Sequence, residues 1–382
     1  MTWLLGVLIF FPFLTIIIAI HEAGHFFAAR HYGMKVTEYF VGFGPWKLWS
    51  RRKGELEYGV KAIWAGGYVK IAGMNPYEEN PPEDAPRLYG AKPRWQRAIT
   101  IFAGPGTHFA LGALIFAFTF YFFGNVNDPN PQIGLAKVET TIDGQTAPAS
   151  VAGLQVGDII VSVGEVVEPT SEQLATIFTD QAEDRPGVPI DVTVDRNGDV
   201  ITVPVAPVMT TNEDGDPTGR IGVELQVVTA RMGPLTAIKE GVLEVGRTVE
   251  ESIHQIARVF SPAGISRTFG LLFNDQARDP TRDSTSVVGI SQQVGSIGSD
   301  GDWAVLFYFF GFITVFIGLI NLLPLPPFDG GHLAVLLIEK IRGGRAIDMR
   351  KLIPVSATVL AFFVTFVVAT MILDVTKPFA LP

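Results

Sequence analysis

His21 and His25 stand four residues apart, so on a helix their imidazoles lie one above the other and can hold one divalent ion. Glu22, one residue round from His21, is placed to hold a water, take its proton as it attacks a carbonyl and return that proton to a leaving amine. The chain has no cysteine, which excludes disulfides, thiolate ligands and thiol nucleophiles and leaves His, Asp or Glu to bind any metal. Zinc is the expected ion, because two imidazoles and one carboxylate leave a fourth position open for water. The third ligand is sought in the run Asn321-Leu-Leu-Pro-Leu-Pro-Pro-Phe-Asp329-Gly-Gly-His332, where Asp329 is the best candidate. Pro324, Pro326 and Pro327 cannot continue a helix and set Asp329 on an extended turn; the competing use of Asp329 is as a cap before a helix at 331–341. Asn321 either reaches the site, to bond a substrate backbone or a developing oxyanion, or satisfies the broken helix.

The other histidines carry weaker signals. His108 follows Gly104-Pro105 and either supports the site or bridges two helices. His332 is placed to brace Asp329, while His31 and His254 read as surface residues. No Gly-x-Ser-x-Gly elbow or serine dyad competes with the metal reading.

These side chains need apolar elements to carry them. Residues 3–20 are an unbroken apolar stretch, long enough at ~1.5 Å per residue to cross most of a ~30 Å hydrocarbon core. The flanks do not suit a cleaved signal peptide: no basic segment precedes the stretch and no small-residue cleavage site closes it. Pro12 is expected to kink it. Further apolar stretches at 98–123, 304–323 and 353–373 give four transmembrane helices. A hydrophobic fraction of 48% with 18% charged residues agrees with a mixed membrane protein. The net charge of -9, with no basic and aromatic interleaving, sets nucleic acid aside.

Lys and Arg concentrate between the first and second helices and between the third and fourth, so both loops are assigned to the cytoplasm. The acidic segment between helices two and three, and both termini, then lie outside. The run from Tyr58 to Ala72 alternates apolar, Gly and β-prone residues and reads as a small sheet, either cytoplasmic or re-entrant among the helices. Residues 131–207 alternate strand-like and helix-like patterns, and 234–260 has the spacing of an amphipathic helix that either packs on that module or lies on the membrane.

With these motifs in view, the chain resembles the site-2 protease family of intramembrane zinc metalloproteases, in its bacterial branch with an external PDZ domain. The resemblance covers nearly the whole sequence. It implies His21, His25 and Asp329, the last in an Asn-x-x-Pro-x-Pro-x-x-Asp-Gly motif, as zinc ligands and Glu22 as the catalytic acid and base. It further implies that Gly42, Gly44 and the segment Ala65-Gly66-Gly67-Tyr68 form a re-entrant β-element holding unwound substrate, with Gly66, Gly67, Tyr68 and Asn321 as substrate-binding or oxyanion candidates. Residues around Ala147-Pro-Ala-Ser-Val-Ala-Gly-Leu-Gln-Val-Gly-Asp resemble a single PDZ domain, where several members carry two. His108 stands where the family usually has Asn, and Ser286-Val-Val-Gly-Ile resembles its Gly-Pro-x-x-Ile segment.

The expected architecture is a polytopic α-helical membrane protein: four transmembrane helices, a membrane-associated re-entrant β-hairpin or sheet, and an extracytoplasmic α/β PDZ domain. Its segments are 1–35 with the first helix, 36–97 with the β-element, 98–124, the PDZ domain 125–208, the amphipathic-helix region 209–302, 303–331 with Asp329, 332–352 and 353–382. By resemblance, the substrates are single-pass membrane proteins such as anti-sigma factors, and remnant signal peptides, cut after a first protease. Other implied partners are membrane lipids, and peptide termini or periplasmic segments bound by the PDZ domain. The implied location is the bacterial cytoplasmic membrane. Two rivals are a metal transporter or sensor, which has no need of Glu22, and an inactive membrane-tethered scaffold, which the intact ligand set argues against.

Overall fold

The computed structural model describes residues 2–75, 77–126, 131–211, 217–229, 231–280, 282–345 and 347–379. Of the expected segments, residues 1, 76, 127–130, 212–216, 230, 281, 346 and 380–382 lie outside the described residues. The chain divides into two compact units, one of Met1–Thr119 with Gly233–Pro382 and one of Phe120–Met232.

In the first unit, α1 (Thr2–His31) remains helical through Pro12. Next come β1 (Val36–Lys53) and β2 (Leu56–Ile71), then α2 (Arg94–Phe122). Both strands are long enough to fold back on themselves at register breaks. Residues 38–41 thereby pair with 67–70 on one side and with 57–60 on the other, and 49–53 add a further row on 56–60. Two strands thus make four rows, with 67–70 along one edge. The base of this sheet is pinned by an apolar cluster of Ala29, Met34, Val36, Ile71, Tyr89, Ile101 and Leu336, and by Lys35 bonded to the buried Asp84.

The second unit is built on an antiparallel sheet of β3 (Gln132–Val138), β4 (Ile159–Val163), β5 (Ile190–Arg196), β6 (Asp199–Val205) and β7 (Val223–Val228), ordered β7-β3-β4-β5-β6. The helices α3 (Pro148–Ala152) and α4 (Ser171–Asp184) belong to the same unit. Alternate strand residues Ile133, Leu135, Val192 and Val194 bury against Leu174 and Phe178 of α4. The expected domain end at 208 falls inside this unit. Beyond it, in the segment assigned to the amphipathic-helix region, β7 pairs along the whole of β3.

The first unit then continues with α5 (Pro234–Val259), α6 (Pro262–Gly270), α7 (Val287–Asp300), α8 (Trp303–Asn321), α9 (Asp329–Ile341) and α10 (Ile353–Thr376). Among the described residues, four helices are long and apolar enough to cross a membrane: Trp3–His31, Arg94–Phe122, Trp303–Asn321 and Arg350–Thr376. Their number and length suit a multi-pass membrane protein. The inner face of α5 is Ala237, Gly241, Glu244, Thr248 and Ser252, so it packs through small and polar residues, with Glu244 accepting from the Tyr308 hydroxyl of α8. The core joining α1, α7 and α8 is Phe10, Val294, Leu306, Phe310 and Ile313.

One buried ion pair fixes the second unit. Arg196 donates to both oxygens of Asp158 at 2.7 Å, and the Gln155 amide adds a third bond at 2.8 Å. Burial opposes the charge on Asp158, yet Arg196 and the Gln155 amide outweigh it and hold the carboxyl below its usual range. A depressed carboxyl stabilises the fold above its unfolded pKa of about 3.9, and that contribution is lost as pH falls toward the native value. Arg196→Met should destabilise this unit, because it leaves the Asp158 carboxylate without its charged partner. Hydrogen exchange at Val192 and Val194 in the full chain checks this, and the difference from wild type should shrink in acid.

Candidate metal centre

The last third of α1 carries His21, Glu22 and His25, while Asp329 opens α9. Asp329 does not sit on an extended turn, as its prolines suggested: helical backbone begins at Asp329 itself, with Phe328 as the capping position. Its carboxylate therefore stands at a helix N-terminus, where the backbone dipole favours negative charge.

The three side chains converge on one point. His21 Nε2 lies 3.1 Å from His25 Nε2, and Asp329 Oδ2 lies 3.2 Å from the first and 3.3 Å from the second. A tetrahedral zinc with bonds of about 2.0–2.1 Å has ligand-to-ligand edges of about 3.3 Å, so this triangle matches one face of such a site. It is the one cluster of this kind among the described residues. His25 Nδ1 lies 2.9 Å from the Thr100 carbonyl oxygen. A carbonyl only accepts, so Nδ1 carries the proton and Nε2 presents its lone pair toward the triangle.

Helix α2 shapes the other wall. A Cβ on Gly104 would fall 2.2 Å from His25 Nε2 and 2.9 Å from His21 Cε1, and one on Gly24 would fall 2.3 Å from the Ala103 carbonyl. Only hydrogens at these two positions let α1 and α2 approach closely enough for both imidazoles to reach one ion.

Glu22 stands beside the triangle without joining it. A cavity of about 270 Å³ is lined by His21, Glu22, His25, Asp329, Asn321 and, from the sheet edge, Tyr68, Val69 and Ile71. A Cβ on Gly67 would press on Glu22 Cγ at 3.1 Å, so the edge row passes directly over this side chain. The Tyr68 hydroxyl donates to Glu38 at 2.5 Å. Burial and the Glu38 carboxylate push the phenol above its usual range and keep it neutral. Gly66 does not line the cavity: its Cα faces the Phe43 ring.

His108 is buried with its ring centroid 5.0 Å from that of His21. Among the described residues no hydrogen bond joins His332 to Asp329, and His31 and His254 are exposed. Sequence reasoning missed Thr100 and Gly104. Thr100 acts through a backbone carbonyl, which leaves no trace in residue type. For Gly104 a signal exists: Gly-Pro-Gly inside an apolar helix is costly unless close approach requires it.

The profile of Peptidase family M50 matches residues 9–367. The chain is 32% identical over 418 aligned positions to the zinc metalloprotease Rip1 of Mycobacterium tuberculosis, covering 100% of both chains. It is 32% identical over 413 positions to the protein of the same name from Mycolicibacterium smegmatis, covering 99% of this chain and 98% of that one.

Replacing Gly104 by Ala should drop bound zinc from about one per chain to near zero, by elemental analysis of purified protein. Gly106→Ala, where the nearest atom to the added carbon is a Phe102 ring carbon at 3.4 Å, should keep it.

Proposed function

The chain belongs to Peptidase family M50, the site-2 type of zinc metalloprotease, and on that premise we propose that it cuts single-pass membrane proteins at a site borne by its own spanning helices. Its cofactor is zinc, and it acts on membrane proteins. In this reading His21, His25 and Asp329 hold the ion and Glu22 handles the proton. The observation that carries it is that the donor triangle, Glu22 and, from the open edge, Tyr68 and Val69 all line one cavity.

Bound in the triangle, zinc would polarise the scissile carbonyl and make a water acidic near neutral pH. Glu22 takes a proton from the attacking water and passes it to the leaving amide nitrogen. The row 67–70 pairs with 38–41 on one side only, so its other edge can take an extended substrate as an added strand. A helical substrate hides its amides, and strand addition both unwinds it and fixes the scissile bond over Glu22. Asn321 is placed to donate to a substrate carbonyl or to the developing oxyanion.

The second unit is read as a PDZ-type module that binds peptide termini or extracytoplasmic segments. A cavity of about 390 Å³ lined by Ile133, Ile160, Ser171, Glu172 and Val227 supports this. The excess of Lys and Arg in the loops after α1 and α9 supports a bacterial cytoplasmic-membrane orientation with this unit and both termini outside. Anti-sigma factors and remnant signal peptides are the substrates suggested by the family resemblance.

Reconstituted protein should cleave a trimmed single-pass segment, and Glu22→Gln should lower the rate by about 10²–10⁴ while keeping its zinc. Zinc retained with full activity in that variant would remove Glu22 from the reaction.

A further inference from the structure

The cavity at the metal centre has two chemically distinct ends. One holds the donor triangle, Glu22 and Asn321, and the other is walled by Val69, Ile71, Met74 and Ile101. These four side chains belong to the apolar cluster at the base of the sheet, with Ile71 and Ile101 buried and Val69 and Met74 half-buried against them. The proton transfer assigned to Glu22 makes no use of this wall. Apolar lining beside a few convergent polar groups is the usual make-up of a pocket that grips a ligand by its hydrocarbon part and orients it by its polar one.

Strand alternation decides which side chains of an added segment can reach that wall. Residues 67, 68, 69 and 70 stand opposite 41, 40, 39 and 38 in turn, so Gly67 and Val69 share one face of the sheet and Tyr68 and Lys70 the other. The first face meets α1. A Cβ on Gly67 would lie 3.1 Å from Glu22 Cγ and 3.2 Å from Ile18 Cγ2, and Tyr39, opposite Val69, donates through its hydroxyl to the Ala19 carbonyl. The second face is polar: the Tyr68 hydroxyl meets Glu38, and Lys70 pairs with Glu78 at 3.0 Å while 41% of its side chain stays exposed. A segment lying along the open edge keeps this two-residue period, its inward side chains level with Gly67, Val69 and Ile71. The one level with Gly67 lies by Glu22. The next, about 6.6 Å further along, meets the apolar wall.

We propose that the apolar end is a specificity subsite: it takes one apolar side chain of the substrate, carried two residues along the strand from the one beside Glu22, with Val69, Ile71, Met74 and Ile101 as its walls. The residues flanking that side chain point to the far face, where Glu38 and Lys70 accommodate polar and charged groups. The inference rests on the strand-addition reading above and adds which substrate position is read and by which residues. A polar side chain at that position loses its water without gaining a partner, so it is refused. A small one leaves the wall uncovered and binds weakly.

The test is a scan of a trimmed single-pass segment whose cleaved bond has been located by mass spectrometry. Each position flanking that bond is changed in turn to Ala, Leu, Trp and Asn, and relative kcat/KM is measured with the zinc-loaded full chain. At one position Leu should exceed Ala by about tenfold or more, with Asn and Trp refused; at its immediate neighbours the four residues should differ only a few-fold. Met74→Ala widens the subsite, so Trp should then be accepted at that position and nowhere else, with zinc content unchanged. Met74→Leu, of similar volume, should keep the parent profile. Cleavage with a flat profile at every position, or a sharp profile that Met74→Ala leaves in place, would overturn the subsite and leave the catalytic reading standing. No cleavage of any segment would overturn the catalytic reading, and the subsite with it.

Discussion

Two imidazoles and a carboxylate, drawn from residues three hundred positions apart, are held with their donor atoms 3.1–3.3 Å from one another inside a bundle of apolar helices. Burying such groups without a partner is costly, by several kcal/mol for an isolated charge at membrane depth. The arrangement makes physical sense around one cation, and much of the first unit follows from the need to build that point. Helix α2 is the bar on which it is assembled. Gly104 gives the imidazoles room and the Thr100 carbonyl sets the tautomer of His25. Arg97, at the start of the same helix, bonds the buried Glu339 at 3.1 Å and so ties down α9, the helix that begins with Asp329.

The second constraint is access to a peptide bond. A helix presents its side chains and hides its amides; here a sheet edge lies across Glu22, the residue proposed above as general base. The same close contact that forbids a side chain at Gly67 brings backbone hydrogen-bonding groups level with Glu22. The long strands fold into four rows because register breaks at Phe43 and Lys47 let each strand pair twice. The edge row is thereby left unpaired on the side that lines the cavity.

The residues with chemistry were legible because their types have few other uses. A His pair at four-residue spacing in an apolar helix is hard to explain otherwise, and a proline run that stops a span just before Asp329 points to a built turn. The structure places those residues around one cavity. What was not legible is what acts through the backbone or through distant pairing. The Thr100 carbonyl has no signature, and the start of α9 at Asp329 depends on the preceding turn. Strand β7 alternates cleanly but is separated from its partner β3 by most of the second unit, so a local reading closed the module at 208. Gly66 and Gly67 look equivalent in sequence, yet strand alternation sends one toward Phe43 and the other toward Glu22.

X-ray absorption at the zinc edge of the purified chain reads the donor shell itself. A site built from His21, His25 and Asp329 should give four nitrogen or oxygen neighbours at about 2.0–2.1 Å, with the outer-shell scattering of two imidazoles, and should lose one imidazole contribution in His25→Ala. A zinc shell with fewer than two imidazoles, or one that His25→Ala leaves unchanged, would contradict it.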